Sequence, residues 1–166
     1  MNPFDLFMDW YHKAEEQADE DFEPNAMTLS TANLEGEVSA RVVLLKYVSI
    51  EGFDFYSKSN SQKGQEMKQN PLVSLSFFWP KLQQQVLVKG RVKELDARTN
   101  GEYFKQRPYE SRLAALASDQ SMPLESKAIL IDQWEKLKAT YPEEVPVPKH
   151  WQGYRVAPKS YEFWQG

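Results

Sequence analysis

The sequence contains no cysteine, so disulfide bonds, thiolate catalysis and zinc–thiolate sites are excluded. It has only two histidines, His12 and His150, which lie far apart and lack the spacing of a His-rich metal site. No window reaches the roughly 18 consecutive apolar residues of a membrane-spanning helix. Residues 1–11 have neither the basic region nor the long apolar region of a signal peptide. These absences predict a cytoplasmic protein without a metal site.

Positive charge is also scarce, because 20 Lys and Arg face 24 Asp and Glu, for a formal net charge of −4. General binding to nucleic acid or to a membrane surface depends on an excess of cations, so neither is expected. A local basic site for a small anion is compatible with this balance. The length of 166 residues predicts a single domain, 1–166, that buries a substantial core.

The predicted strands and helices indicate the fold class. Apolar spacing and turn residues predict seven strands, over 27–32, 38–48, 53–57, 72–79, 85–95, 153–156 and 160–164. The same signals predict five helices, over 3–18, 61–70, 97–106, 108–117 and 124–140. Gly36 predicts a hairpin between the first two strands. Closely spaced strands followed by helices predict an α+β domain with an antiparallel barrel or sheet, and no GxGxxG supports a doubly wound fold.

Two cations bracket an apolar run at residues 41–46, which reads Arg41-Val42-Val43-Leu44-Leu45-Lys46. Composition alone favours a buried strand whose charged ends reach water. The functional alternative is a phosphate or flavin site, because Arg offers a bidentate fork and Lys a point charge. Residues five apart on a regular strand point to opposite faces. A common ligand would therefore require a bulge or contact around the strand edge.

A polar turn at residues 59–63 precedes the short helix predicted over 61–70. Ser59 with Gln62 matches a capping box, and Ser61 is an alternative cap. The free N–H groups of a helix start suit a phosphate, and Lys63 would add a full charge. A capped helix without any ligand is the more common meaning of this pattern.

Tyr103, Arg107 and Ser111 are spaced by four and would share one face of a continuous helix. Pro108 disfavours helical geometry at Arg107, so the helix is expected to break there. An Arg and a Ser beside a helix start suit a phosphate, and a solvated helix face explains the pattern equally well. The remaining candidates are side chains able to hydrogen-bond the edge of a heterocycle or cover its face, namely Gln85, Gln120, Ser121 and Trp164.

Together these segments resemble the pyridoxamine/pyridoxine 5′-phosphate oxidase family, which has the FMN-binding split-barrel fold. The matching sequence segments are Arg41–Lys46, Phe55-Tyr56-Ser57, Ser61-Gln62-Lys63, Asn70-Pro71, Gln85-Val86, Tyr103-Phe104, Arg107-Pro108, Ser111, Gln120-Ser121, Trp151-x-Gly-Tyr-Arg155-Val156 and Glu162-Phe-Trp-Gln-Gly166. These segments run in family order across nearly the whole chain. The resemblance implies an α+β antiparallel split β-barrel with flanking helices, and a homodimer with two FMN molecules at the subunit interface.

The resemblance also implies a reaction and a set of contacts. FMN-dependent oxidation of pyridoxamine or pyridoxine 5′-phosphate by O2 would yield pyridoxal 5′-phosphate, in vitamin B6 biosynthesis or salvage. The implied FMN contacts are Arg41, Val42, Val43, Leu44, Leu45, Lys46, Tyr56, Ser57, Gln62, Lys63, Gln85, Gln120, Ser121 and Trp164. The implied substrate contacts are Lys46, Tyr103, Arg107 and Ser111, the last three around the substrate phosphate. No metal ligand is implied, and no catalytic side chain is certain.

The chain departs from the family pattern in three places. Gln62 stands where the family usually has Arg, which removes a charged hydrogen bond worth about 1.5–3 kcal/mol. The family's N-terminal extension is expected to be largely missing. A C-terminal Arg-x-His-x-Arg segment, with two substrate contacts and one FMN contact, is expected to be absent after Gly166. Two alternatives therefore stay open: an FMN enzyme acting on another reduced ring such as a phenazine precursor, or a non-catalytic FMN or pyridoxal-phosphate binding protein.

Overall fold

A computed structural model describes residues 2–166, and within them seven β-strands and five α-helices are present. The strands are β1 (Ala26–Ala32), β2 (Val38–Leu44), β3 (Tyr47–Ser49), β4 (Gly52–Lys58), β5 (Leu72–Trp79), β6 (Gln84–Glu94) and β7 (Trp151–Gln165). The helices are α1 (Pro3–Glu15), α2 (Gln62–Gln69), α3 (Ala97–Gln106), α4 (Tyr109–Ala117) and α5 (Lys127–Thr140). A short 3-10 helix covers Pro80–Leu82.

The chain divides into two compact units. The first unit comprises the residues up to Tyr56, Glu66–Glu94 and Tyr154–Gly166, and it contains α1 and nearly all of the sheet. The second unit comprises Ser57–Gln65 and Leu95–Gly153, and it contains α3, α4 and α5. The organisation of residues 1–166 as a single domain stays a prediction.

The strands form one antiparallel sheet in the order β2-β1-β5-β6-β7-β4-β3, curled as a half-barrel. This confirms the predicted α+β class with an antiparallel split barrel. The predicted β1–β2 hairpin is also confirmed. Its turn is closed by Asn33, whose Oδ1 accepts from the backbone N–H groups of Glu35 and Glu37 at 3.1 and 2.9 Å. Gly36 has a φ of 83°, a left-handed conformation that glycine adopts without steric cost.

The core of the first unit lies between one face of the sheet and helix α1. Buried and partly exposed residues alternate along β1, as expected for a strand with one covered face. The ring of Phe7 on α1 packs against Phe53, Phe77 and Trp79, with ring centres 4.9, 5.1 and 6.0 Å away. The Trp79 indole N–H donates to the Pro24 carbonyl at 3.0 Å, so this buried polar group is satisfied. Each such buried aromatic side chain contributes about 1.5–3 kcal/mol to folding.

The strand predicted over 38–48 is wrong, because it breaks at Leu45 and Lys46. Strand β2 ends at Leu44, and β3 begins at Tyr47. The Leu45 N–H donates to the Asn25 carbonyl, and the Lys46 N–H donates to the Asp54 carbonyl, each at 2.8 Å. The chain therefore leaves β1 at this point and pairs with β4.

The two late strands predicted over 153–156 and 160–164 are in fact one strand, β7. Pro158 lies between the two predicted strands, and proline cannot donate to a ladder. The pairing of β6 with β7 shifts between Lys89 and Gly90, which face Ser160 and Pro158. A bulge at this point accommodates the proline and lets the strand continue.

The second unit has its own core, in which Phe104, Leu113 and Val145 are buried. Helix α3 begins at the predicted residue, where Asp96 Oδ1 accepts from the Thr99 N–H at 2.9 Å. It ends before Arg107, whose φ of −70° and ψ of 148° are extended. This confirms the predicted break before Pro108, since a residue that precedes proline avoids helical geometry.

Gly64 lies in the first turn of α2, where the chain that leaves β4 passes close to the helix. A Cβ atom on Gly64 would lie 2.5 Å from the Ser59 carbonyl oxygen and 2.6 Å from the Lys58 carbonyl oxygen. Both contacts are with backbone atoms, which cannot rotate away as a flexible side chain can. The helix start therefore requires a residue without a side chain.

We expect Gly64→Ala to lower the free energy of unfolding by about 1–3 kcal/mol, because the added methyl group forces the helix away from the turn. Gly101→Ala is the matched control, since Gly101 is also helical and a Cβ there would meet no atom within 4 Å. That control should be neutral or stabilising by up to about 1 kcal/mol. Urea unfolding of both variants measures the difference. Equal stability of Gly64→Ala and the wild type would show that the turn relaxes freely.

Candidate functional site

Five predicted site and cap residues of the second unit form one group, called here the Lys63 cluster: Ser57, Ser61, Lys63, Gln120 and Ser121. The side chain of Lys63 is deeply buried, with the residue only 6% exposed. Its Nζ donates to Gln120 Oε1 at 3.1 Å, Ser57 Oγ at 3.3 Å and Ser61 Oγ at 3.5 Å. Ser57 Oγ also donates to Gln120 Oε1 at 3.2 Å. Side chains from β4, α2 and the segment after α4 thus meet around one ammonium group.

The start of helix α2 belongs to this cluster. Ser61 Oγ accepts from the Gly64 N–H at 3.3 Å and donates to the Lys58 carbonyl at 2.7 Å, so Ser61 occupies the cap position. The Gln62 N–H donates to Ser121 Oγ at 3.1 Å. A helix start carries a partial positive charge, which adds to the charge of Lys63. An anion here would gain charge-assisted hydrogen bonds from the ammonium group and from the N–H groups of the helix start.

Lys58 adds a second cation close to the same segment, which sequence reasoning missed. Its Nζ donates to the Ser118 carbonyl oxygen. Burial lowers the pKa of the Lys58 ammonium from its ordinary value, and the charge of Asp119 opposes this shift. Lys58 directly follows the strand predicted over 53–57, where an exposed lysine is the usual expectation.

A second cationic group of this unit surrounds an indole and is called here the Trp151 cluster: Tyr103, Phe104, Arg107 and Trp151. The Arg107 guanidinium carbon lies 4.5 Å from the centre of the Trp151 ring. The Tyr103 ring stacks on the same indole, with centres 6.4 Å apart and planes 6° apart. Tyr103 and Arg107 were predicted to meet a phosphate, and the structure places both on one aromatic side chain.

Burial governs the electrostatics of the Trp151 cluster. Burial lowers the pKa of the Arg107 guanidinium and raises the pKa of the Tyr103 hydroxyl. The electrostatic interaction between the two groups acts against both shifts. Arg107 Nη1 is buried and makes no hydrogen bond within residues 2–166. A buried N–H group of a cation is suited to donate a hydrogen bond to an anionic oxygen. Ser111 is half-buried on α4, beyond the break in the backbone.

In the first unit, the Arg41 guanidinium belongs to a buried polar network. Its Nη1 donates to Thr31 Oγ1 at 2.5 Å, and its Nη2 lies 3.4 Å from Glu66 Oε2. Thr31 Oγ1 and Ser39 Oγ donate to the same carboxylate at 2.5 and 3.0 Å. Glu66 was not predicted as a site residue, because a Glu on a short polar helix is usually exposed to solvent. The network fixes the direction of Arg41.

Arg41 and the pair Gln85 and Trp164 lie on opposite faces of the sheet. Arg41 pairs with Leu29, which is fully buried, so its side chain points to the core face. Gln85 pairs with Phe78 and Trp164, which are 57% and 51% exposed. The face that carries Phe78, Gln85 and Trp164 is called here the outer face.

The other predicted residues of the first unit lie along β2, the break after it, and β4. They comprise exposed Val42, half-buried Val43 and Leu44, buried Leu45, exposed Lys46 and half-buried Tyr56. Because β2 ends at Leu44, the strand alternation that would send Arg41 and Lys46 to opposite faces does not extend to Lys46.

An ion pair to a buried carboxylate, which sequence reasoning missed, joins β4 to β7. Arg155 Nε and Nη2 donate to the two carboxylate oxygens of Asp54 at 2.7 and 2.8 Å. Hydrogen bonding to Asp54 raises the pKa of Arg155 above its ordinary value. Within residues 2–166, no three His, Asp or Glu side chains are grouped so as to hold a metal ion. Over the same residues, no helix has both the length and the apolar character needed to cross a membrane.

Comparison with known proteins gives consistent matches. The family model described as pyridoxamine 5′-phosphate oxidase matches residues 14–141. Proteins named pyridoxine/pyridoxamine 5′-phosphate oxidase from Rhodopirellula baltica and Paraburkholderia phymatum are 43% and 45% identical to this chain. Each alignment covers 99% of this chain, and 75% and 77% of the respective relative.

Solved structures also match. PhzG from Burkholderia lata 383, in complex with tetrahydrophenazine-1-carboxylic acid, has a TM-score of 0.91 and 28% identity, covering 98% of this chain and 79% of that one. An FMN binding protein from Nostoc punctiforme, related to pyridoxamine 5′-phosphate oxidase, has a TM-score of 0.78 and 10% identity, covering 99% and 86%. The second likeness concerns the fold alone.

We expect Glu66→Ala to lower the free energy of unfolding by about 3 kcal/mol, because it leaves the Arg41 guanidinium partly buried beside an empty position. Glu66→Gln should cost less, since an amide oxygen still accepts from Thr31 and Ser39. Glu102→Ala is the control, because Glu102 pairs with exposed Arg98 and should matter little. Thermal and urea unfolding of the three variants measure these effects. Similar losses for Glu66→Ala and Glu102→Ala would contradict a structural role of the network.

Proposed function

Because the chain belongs to the pyridoxamine 5′-phosphate oxidase family, we propose that it is an FMN-dependent oxidase of pyridoxine or pyridoxamine 5′-phosphate. The observation that carries the proposal is the presence of two separate cationic groups, the Lys63 cluster and the Trp151 cluster. A reaction between a phosphorylated cofactor and a phosphorylated substrate needs one such group for each phosphate. The names of relatives 43–45% identical over 99% of the chain support the same conclusion.

The Lys63 cluster fits the phosphate of FMN. It combines a buried ammonium, three serine hydroxyls and the N-terminus of a helix, which are the groups that phosphate sites use. Ser57 and Lys63 would donate to phosphate oxygens, while Ser61 holds the start of the helix in place. The exposed side chain of Gln62 contributes no charge, so Lys63 carries the electrostatic part of the binding.

The residues proposed around the flavin ring are Gln85 and Trp164. An amide can hydrogen-bond the polar edge of the ring, and an indole can cover its face. Bound FMN would supply the hydride acceptor and the reactivity with O2, which no side chain of the chain provides. The task of the protein is to hold the reacting carbon of the substrate against the ring and to keep water away. Lys46 and Ser111 remain proposed substrate contacts.

Arg107 is proposed to bind the substrate phosphate. Its guanidinium can form two parallel hydrogen bonds with phosphate oxygens, which Lys cannot reproduce. The buried Nη1 atom, without a hydrogen bond in the described chain, gives it a donor for this purpose. Tyr103, half-buried beside it, can donate its hydroxyl to the same phosphate.

We further propose a homodimer in which each FMN is shared by two copies. Within the first unit, Arg41 points to the core face, whereas Gln85 and Trp164 lie on the outer face. A second copy of the chain would let one ligand touch both sets. The outer face also exposes large apolar side chains on β2 and β5, including Val42 and Leu72, and a surface of this kind is typical of an interface.

We expect Leu72→Asp to convert the dimer into a monomer of 19.3 kDa, because it buries a charge in the proposed interface. Leu72 is 58% exposed in the isolated chain, so the substitution should leave the monomer fold intact. Leu34→Asp is the matched control, since Leu34 is 71% exposed in the β1–β2 turn. Sedimentation velocity distinguishes the two species. A wild-type protein that sediments as a monomer would refute the shared site.

We expect Lys63→Gln to weaken FMN binding about 10- to 100-fold, the value of a charge-assisted hydrogen bond. Lys68→Gln is the control, because Lys68 is exposed in the last turn of the same helix. Quenching of flavin fluorescence on titration gives the dissociation constants. Unchanged binding by Lys63→Gln would place the FMN phosphate elsewhere.

The proposed activity is tested by incubating the FMN-loaded protein with pyridoxine 5′-phosphate in air. Formation of the aldehyde with an equivalent of hydrogen peroxide is the expected result. The likeness to PhzG favours one competing function, oxidation of a reduced phenazine precursor, so tetrahydrophenazine-1-carboxylic acid is assayed in parallel. Turnover of that compound alone would replace the proposed substrate. Binding of FMN and pyridoxal 5′-phosphate without any turnover would indicate the non-catalytic alternative.

A further inference from the structure

Arg107 lies at a break in the backbone, so helix geometry does not direct its side chain. Helix α3 ends at Gln106, α4 begins at Tyr109, and Arg107 itself is extended. Its backbone N–H donates to the Phe104 carbonyl at 3.2 Å, which fixes the main chain only. A free Arg side chain populates many rotamers, and a ligand that must order it binds more weakly.

Trp151 restrains this side chain. The 4.5 Å separation between the guanidinium carbon and the indole centre lies within the ~6 Å range of a cation–π interaction. The indole is itself held by the core of the second unit, because it packs edge-on against buried Phe104 at 5.2 Å. Its backbone N–H donates to the Pro148 carbonyl at 2.9 Å. Both the ring and the main chain of Trp151 are therefore anchored within the second unit.

We propose that Trp151 is a positioning residue for the substrate phosphate, which orients both Arg107 and Tyr103 toward it. This inference rests on the proposed function. The contact with the indole uses none of the guanidinium N–H donors, and Nη1 is buried without a hydrogen bond in residues 2–166. The planar Tyr103 contact orients the second phosphate-binding side chain from the same indole. Trp151 would therefore set the affinity for the phosphate without touching the reacting carbon.

The proposal predicts for which substrates kcat/KM falls when Trp151 is replaced. A residue that acts through Arg107 affects only substrates that carry a phosphate. A residue that merely fills the core lowers stability and affects all substrates alike. Comparing pyridoxine 5′-phosphate with unphosphorylated pyridoxine therefore separates the two roles.

The experiment measures kcat and KM of the FMN-loaded Trp151→Leu variant. KM for pyridoxine 5′-phosphate should rise about 5- to 30-fold, the range of a partly buried cation–π contact, with kcat within about twofold of wild type. The kcat/KM for pyridoxine should not change. Trp151→Phe keeps an aromatic face and should recover most of the lost affinity. In an Arg107→Gln background, Trp151→Leu should have little further effect, because its partner is gone.

Trp134→Leu is the matched control. Trp134 packs against the same core of the second unit and has its own cation, with Lys138 Nζ 4.8 Å from its ring centre. Its loss removes an equal indole and an equal type of contact, but not one to Arg107. Trp134→Leu should leave KM for pyridoxine 5′-phosphate unchanged even if it lowers the melting temperature.

A second measurement separates failure of this inference from failure of the proposed function. If the wild-type protein does not oxidise pyridoxine 5′-phosphate, the proposed oxidase is wrong, and equilibrium binding of pyridoxal 5′-phosphate to the FMN-loaded protein tests Trp151 directly. The same 5- to 30-fold loss in Trp151→Leu, absent in Trp134→Leu, supports the inference. Equal binding by wild type and Trp151→Leu overturns it, as does an equal loss for both pyridoxine forms. A wild-type protein that binds no pyridoxal 5′-phosphate overturns it as well.

Discussion

The alternation of side chains along antiparallel strands is the constraint on which the rest of this structure depends. It sends Leu29 and its neighbours to one face, where the rings around Phe7 cover them. The same rule places Arg41 on the covered side and Gln85 on the uncovered one. The core and the division of candidate ligand contacts between two faces therefore have a single cause. The proposed second copy of the chain would unite contacts that one copy holds apart.

Arg155, Arg41 and Arg107 are held in three different ways, and the difference indicates their roles. Arg155 is paired with a buried carboxylate, which neutralises it and makes it part of the framework. Arg41 lies 3.4 Å from Glu66, a longer ion pair, and the same carboxylate also accepts hydrogen bonds from two hydroxyl groups. Arg107 rests on an indole, which attracts the cation but leaves its donors available. The less completely a buried cation is satisfied by the protein, the better it can serve an anionic ligand.

The elements predicted well from sequence are those determined by local signals. The bounds of β5 follow from strict alternation, and α3 begins at an Asp cap and ends before a proline. The break at Leu45 and Lys46 could not be predicted, since its hydrogen-bond partners, Asn25 and Asp54, lie on other segments. The single strand β7 was missed because Pro158 is a breaker by every local rule, and only pairing with β6 shows the bulge.

Sequence resemblance named Tyr103, Arg107 and Lys63 as candidate ligands, and the structure shows what surrounds each of them. The resemblance could not reveal Trp151 as the partner of Arg107 or Glu66 as the partner of Arg41, because these contacts join residues that are distant in sequence. Their roles depend on which side chains the fold brings together. Neither charge nor spacing along the chain contains that information.

The segment between α4 and α5 links ligand binding to the stability of the protein. Ser121 adopts a left-handed φ of 68°, which is costly for a residue with a side chain, and its hydroxyl bonds the first turn of α2. This segment has no regular structure of its own, so the bonds from Gln120 and Ser121 to the Lys63 cluster help to order it. A phosphate ligand bound there would stabilise the ordered form by mass action. If proteolysis begins in this segment, the lifetime of the protein in a cell would then follow the concentration of free flavin nucleotide.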